Sequence, residues 1–68
     1  MFKEYDVVEL ICDLEVGPKK GTRGTIVMIY PGQTTAFEVE FVDAAGNTIA
    51  LRSGVQADQV KLVSRQSS

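Results

Sequence analysis

The sequence contains no histidine and no tryptophan, and its only cysteine is Cys12. The lack of histidine excludes the serine–histidine–aspartate and cysteine–histidine arrangements of common hydrolases. A single cysteine cannot form a disulfide within the chain, and without histidine it cannot complete a tetrahedral zinc site of nitrogen and sulfur ligands. We therefore predict that the protein is not an enzyme and that it holds no metal and no cofactor.

Charge and hydropathy exclude further classes of protein. Seven basic and nine acidic residues leave a net charge of −2, which disfavours binding to nucleic acid. No apolar run approaches the roughly 18 residues of a membrane span, and the first residues lack the pattern of a signal peptide. Together with the lone cysteine, these features predict a cytoplasmic protein with no membrane partner and no evident small-molecule substrate.

The length of 68 residues leaves room for one domain, which we place at residues 1–63. The polar tail at 64–68 is expected to be disordered. Domains this small often gain support from disulfides, metals or self-association. A disulfide within the chain is impossible here, and a structural metal is not expected. Self-association, as a homodimer or a larger assembly, is therefore expected.

Hydrophobic periodicity predicts short β-strands joined by glycine-rich turns, with no amphipathic helix of useful length. This pattern is typical of a small all-β fold, and we predict an SH3-like barrel of about five antiparallel strands. The predicted strands cover residues 5–12, 25–30, 36–42, 48–52 and 60–63, and a single 3₁₀ turn covers residues 56–59.

Alternation of apolar and polar residues predicts which side chains face the core. On the third strand, Phe37, Val39 and Phe41 point inward and alternate with glutamates that face water. On the fourth strand, the same reasoning places Ile49 and Leu51 inward.

Residues 19–27 resemble the K-G-x-x-G-x-V pattern of KOW-type SH3-like barrels, in which two glycines let the chain turn sharply into the second strand. The wider sequence is similar to a family of short bacterial proteins known only as a domain of unknown function. The motifs that carry this similarity are D-V-V-E-L at 6–10, K-K-G-T-R-G-T-I-V at 19–27, F-E-V-E-F-V-D at 37–43 and T-I-A-L at 48–51. The resemblance implies a fold and no established activity.

Two surface features are candidates for binding. Lys19, Lys20 and Arg23 form a basic cluster that can contact a polyanion, although short charged runs more often serve solubility. Nucleic-acid binding also favours aromatic stacking platforms, and few of the five aromatic residues are free to provide them.

The second predicted strand is apolar on both faces, and only one face can fill the barrel. Its residues Val27, Met28, Ile29 and Tyr30 are therefore candidates for contact with a partner, unless the loop at 17–24 covers them. We predict a non-catalytic protein–protein interaction module with an accessory, antitoxin-like or immunity-like role. The alternative is a KOW-like RNA- or DNA-binding domain that uses the basic cluster.

Overall fold

Five antiparallel strands form one sheet in the computed structural model, which describes residues 1–65. The order across the sheet is β4-β3-β2-β1-β5, and a 3₁₀ turn joins β4 to β5. The prediction of a small all-β, barrel-like fold of about five antiparallel strands is confirmed. The elements are β1 (Val7–Leu10), β2 (Arg23–Tyr30), β3 (Ala36–Val42), β4 (Thr48–Gln56), the 3₁₀ turn (Ala57–Gln59) and β5 (Val60–Ser64).

The inner face of the curved sheet holds the core. Phe37, Val39 and Phe41 are buried there, as their alternation predicts. The ring of Phe37 meets that of Phe2 edge to face, with 5.3 Å between ring centroids, so the N-terminal segment closes over the core. The full buried apolar set is Val8, Leu10, Ile26, Phe37, Val39, Phe41, Val55 and Val60.

The inward direction predicted for two residues of β4 is wrong. Ile49 and Leu51 are 54% and 53% exposed. The register sets the phase, because Ala50 pairs with Phe41 and therefore occupies the inner face in their place. Small Ala50 fits opposite a large buried ring, whereas the two larger aliphatic side chains are turned outward.

β4 also continues beyond its predicted end at residues 53–54. Gly54 has a φ of 79°, and the register of β4 against β3 shifts between the pairs Val39–Arg52 and Phe37–Val55. Such a bulge adds one residue to a strand without ending it. As a result, Val55 returns to the inner face opposite Phe37 and is buried.

A second register shift divides the apolar residues of β2 between the two faces. The register of β2 against β3 changes between Ile26 and Met28, so Val27 is the extra residue. Ile26 pairs with Val39 and is buried, and Ile29 packs against the core three residues later. Without the shift, a period of two would place Ile26, Met28 and Tyr30 on the same face.

Arg65, the last residue that the structure describes, lies close to the N-terminus. β5 runs to Ser64, and the Arg65 guanidinium donates a hydrogen bond of 2.7 Å to the carbonyl oxygen of Met1. The remainder of the predicted tail, residues 66–68, lies outside the described residues. Within residues 1–65, no helix is long and apolar enough to cross a membrane.

The turn between β3 and β4 is organised by one carboxylate. Asp43 accepts hydrogen bonds of 2.9 Å from the backbone N–H groups of Ala45 and Asn47, and Gly46 adopts a φ of 87°. The bond from the Asn47 N–H, together with the neighbouring donors, holds the pKa of Asp43 below its ordinary value. The ionised side chain therefore stabilises the turn.

The effect of Asp43→Ala on stability is expected to depend on pH. Because the folded pKa is lowered, the stabilisation is present above the ordinary carboxyl range and is lost as the pH falls through the lowered pKa. Thermal melts should show a lower midpoint for Asp43→Ala at neutral pH, and the gap to the wild type should narrow below about pH 4. Glu15→Ala, at an exposed loop position, is the control. A gap that stays constant down to about pH 2 would contradict this assignment.

Candidate functional site

The four predicted partner-binding residues of β2 do not share one surface. Ile29 packs against the core, and Val27 is half-buried at the register shift. Met28 and Tyr30 are 43% and 46% exposed and point away from the core. Only two of the four therefore stand on an accessible face of the sheet.

A third exposed apolar side chain stands on the same side of the sheet. Leu51 pairs with Glu40, and Met28 pairs with Glu38, so the two glutamates of β3 lie between β2 and β4. We call this surface the outer face. It consists of Met28, Tyr30, Glu38, Glu40 and Leu51.

Hydroxyl groups satisfy both glutamates of the outer face. The phenol of Tyr30 donates a hydrogen bond of 2.9 Å to Glu38, and the hydroxyl of Thr48 donates to Glu40. The bond to the Glu38 carboxylate raises the pKa of Tyr30, because ionisation would remove the donated proton. The hydrogen bond holds the Tyr30 ring beside Glu38 on the neighbouring strand β3.

The predicted basic cluster is also divided. Arg23 lies on β2 and forms an ion pair with Glu9, with 3.1 Å between Nε and Oε1. Lys61 approaches the other oxygen of Glu9 at 3.6 Å. The hydrogen bond from Arg23, supported by the charge of Lys61, lowers the pKa of Glu9. Part of the positive charge of the cluster is thus neutralised within the fold.

Two adjoining clefts lie between the loop before β2 and the start of β4. The larger has a volume of about 660 Å³ and the smaller about 330 Å³, and Thr22 and Ile49 line both. Lys20 and Arg23 line the larger cleft, whereas Lys19 lines the smaller. We call these two cavities the basic clefts.

Arg52 contributes a further positive charge to the smaller basic cleft. Its guanidinium donates a hydrogen bond of 3.1 Å to the carbonyl oxygen of Leu51 and lies against Gly17. A Cβ atom at Gly17 would approach Nη2 of Arg52 to 2.8 Å, so the close contact depends on glycine. Sequence reasoning missed Arg52, since it lies 29 positions after Arg23 and no local motif links the two.

The loop that carries the two lysines has defined geometry. The backbone N–H of Lys20 donates a hydrogen bond of 2.8 Å to the carboxylate of Asp13, and the N–H of Leu14 donates to the carbonyl oxygen of Pro18. Gly21 adopts a φ of 93°, a backbone conformation that residues other than glycine rarely adopt. These bonds leave the side chains of Lys19 and Lys20 exposed to solvent.

The buried carboxylate of Asp6 has a structural role. It is 2% exposed and accepts a hydrogen bond of 2.8 Å from the backbone N–H of Lys3. The same turn places Tyr5 at a φ of 70° and lets its N–H bond the carbonyl oxygen of Ile26. Asp6 therefore fixes the entry to β1. Across residues 1–65, no three His, Cys, Asp or Glu side chains are grouped so that they could hold a metal ion.

A family model, described as "Domain of unknown function (DUF4926)", matches residues 4–62. The chain belongs to this family. The prediction of an uncharacterised domain family is thus confirmed, and the DUF4926 match takes in the outer face and both basic clefts. No curated protein and no solved structure matches the chain.

The positions of three residues on these surfaces are hard to predict from the sequence of the chain alone. Ile49 and Leu51 look like core residues because they are apolar and alternate, and Arg52 looks like the polar end of a strand. Their true positions depend on the register of β4, which two shifts alter. A strand pattern read by itself does not reveal such shifts.

Proposed function

We propose that this DUF4926 domain is a non-catalytic interaction module that docks onto a protein partner through its outer face. The observation that carries the proposal is the set of three large apolar side chains, Met28, Tyr30 and Leu51, each about half exposed on one face of the sheet. Methionine and tyrosine are enriched at protein interfaces relative to the rest of the surface. Scattered single apolar residues need no partner, whereas a group on one face favours one.

The outer face is also pre-organised for binding. Its residues lie on three hydrogen-bonded strands, and the bond from Tyr30 to Glu38 restrains the aromatic ring. A surface that is already ordered loses little conformational entropy when a partner docks. Glu38 and Glu40 would form the polar part of the interface, where they can meet cations of the partner.

The proposed role is that of a small accessory, antitoxin-like or immunity-like protein that acts by occupying one partner. A second copy of the chain is an alternative occupant of the same face, since domains this small often gain support from self-association. The lone thiol of Cys12 supports a reducing compartment such as the cytoplasm as the place of action.

Met28→Glu is expected to abolish recovery of the partner or to dissociate the assembly of copies. A buried carboxylate without a partner costs several kcal/mol at an interface, which corresponds to a loss of affinity of at least about a hundredfold. The measurement is affinity purification of the tagged chain from its native host, with light scattering of the purified protein to detect self-association. Thermal melts should show that the variant retains its fold, because residue 28 is exposed.

Ile11→Glu is the matched control for that experiment. Ile11 is 44% exposed, almost the same as Met28 at 43%. However, Ile11 lies directly after β1, near the first residues of β2 and away from the outer face. The wild type and Ile11→Glu should recover the same partner or assembly. Equal recovery by Met28→Glu, or a wild type that is monomeric and recovers nothing, would refute the proposal.

The alternative of a KOW-like nucleic-acid-binding domain has less support. The position of Lys19 and Lys20 in the basic clefts favours it, whereas the ion pair of Arg23 with Glu9 and the net charge of −2 oppose it. None of the residues that line these two clefts is aromatic, so the clefts offer no ring on which a base can stack.

A further inference from the structure

Positive charge is concentrated in one region of the surface of this acidic protein. Four of the seven basic residues line the basic clefts, namely Lys19, Lys20, Arg23 and Arg52. Arg23 shares its charge with Glu9, but within residues 1–65 no carboxylate lies within 4.0 Å of the side-chain nitrogens of the other three. Because the whole chain is negative, this local excess of cations stands out against its surroundings.

The single carboxylate that lines these clefts does not cancel the excess. Asp43 lines the larger cleft, but its oxygens accept hydrogen bonds from the turn that follows it. The bonds hold the Asp43 side chain in the turn between β3 and β4. Its charge is therefore directed to local N–H groups, and the three unpaired cations remain available to a ligand.

Between the cations lies an apolar floor. Ile49 lines both basic clefts and is 54% exposed. Val42 and Ala44 extend the apolar surface in the larger cleft, and Ala50 extends it in the smaller. A ligand that fits these clefts thus combines negative charge with an apolar group that can cover Ile49.

We infer that the basic clefts bind an acidic peptide segment of a protein partner, with one aliphatic side chain of that segment seated on Ile49. Carboxylates of the segment complement Lys19, Lys20 and Arg52, while the aliphatic side chain removes the exposed surface of Ile49 from water. Nucleic acid would match the charge but not the floor, because no lining residue offers an aromatic ring. The inference concerns a surface other than the outer face, so it stands or falls separately from the proposed function.

The inference is tested by fluorescence polarisation with three labelled probes. The first is a short peptide of glutamates and aspartates with one central leucine, the second has serine in place of leucine, and the third is a short single-stranded RNA of mixed sequence. The leucine peptide should bind the full chain with a dissociation constant below about 1 mM. Its affinity should decrease as the salt concentration is raised from about 20 mM to about 300 mM. The serine peptide should bind roughly tenfold more weakly, because it lacks the buried aliphatic group.

Variants of the chain locate the binding site. Ile49→Ser should lower the affinity for the leucine peptide by roughly tenfold. Leu62→Ser is the matched control, because Leu62 on β5 is 40% exposed, belongs to neither the outer face nor the basic clefts, and undergoes the same change of side chain. Lys20→Glu should also weaken binding at low salt, whereas Lys3→Glu, the same charge change outside the clefts, should leave it unchanged.

Four results would overturn the inference: no binding of the leucine peptide up to about 1 mM, equal binding of the two peptides, equal losses for Ile49→Ser and Leu62→Ser, or tighter binding of the RNA that is lost in Lys20→Glu. Thermal melts check the fold of each variant. If Ile49→Ser does not fold, the comparison of the two peptides on the wild-type chain decides the same point without a substitution.

Discussion

Gly24→Ala is expected to remove most of the stability of the folded protein. Gly24 lies on β2 between Val8 of β1 and Phe41 of β3, with no space for a side chain. A Cβ atom there would lie 2.7 Å from the carbonyl oxygen of Glu40 and 2.7 Å from a methyl carbon of Val39. One of these neighbours is backbone, so relief requires that β2 and β3 move apart.

The expected cost of Gly24→Ala is about 3 kcal/mol, the upper end of what overpacking costs in a core. A domain of this size seldom has more than about 3–5 kcal/mol of stability, so the loss removes most of it. Urea unfolding followed by far-UV circular dichroism measures the change. Gly32→Ala is the control, because its Cβ atom would meet nothing closer than 3.6 Å and its φ is not positive. Equal midpoints for the two variants would contradict the close approach of the strands at Gly24.

Phe37→Ala is expected to have an effect of similar size for the opposite reason. Phe37 is among the largest buried side chains, and its ring contacts Phe2 from the N-terminal segment. Truncation of a buried phenylalanine costs about 3–5 kcal/mol, since it removes apolar contacts and leaves a cavity. The N-terminal segment should also loosen, because the ring against which Phe2 packs is gone.

Phe2→Ala distinguishes these two contributions. Phe2 is partly buried and packs against the core from one side, so its truncation should cost clearly less than that of Phe37. Both variants are measured by urea unfolding, and tyrosine fluorescence provides a second probe because the chain lacks tryptophan. If the free energy of unfolding of Phe37→Ala is within about 1 kcal/mol of the wild-type value, the ring is not at the centre of the core.

The strand β3 shows how far sequence reasoning reaches. Its bounds and its inward residues are predicted correctly, because apolar and charged residues alternate without a break from Phe37 to Phe41. Charged side chains decide the direction there, since a glutamate placed in the core without a partner costs several kcal/mol.

The strand β4 shows why the same reasoning fails one strand later. Between Thr48 and Arg52 the pattern also alternates, but small Ala50 is the residue that lies inward, and the larger Ile49 and Leu51 lie outward. Gly54 looks like the end of the strand, whereas its positive φ belongs to a bulge that returns Val55 to the core. The bulge depends on pairing with β3, which is a tertiary property.

The glycines of the K-G-x-x-G motif were expected to serve one purpose, and they serve two. Gly21 lies in the turn with a φ of 93° and open space around it. Gly24 already belongs to β2 and permits close approach of β3. The outer face and the basic clefts, both proposed to bind partners, depend on similar long-range placement, since Leu51 and Arg52 reach them only through the register of β4.

The most direct test of docking through the outer face is an NMR titration of the ¹⁵N-labelled chain with the unlabelled partner that it recovers. For self-association, the titrant is the unlabelled chain itself. The largest changes in amide chemical shift are expected at Met28, Tyr30 and Leu51. Little change is expected at Ile11, which lies outside the outer face. Shifts that are largest at Ile11 and absent from β2, β3 and β4 would contradict the proposed docking face.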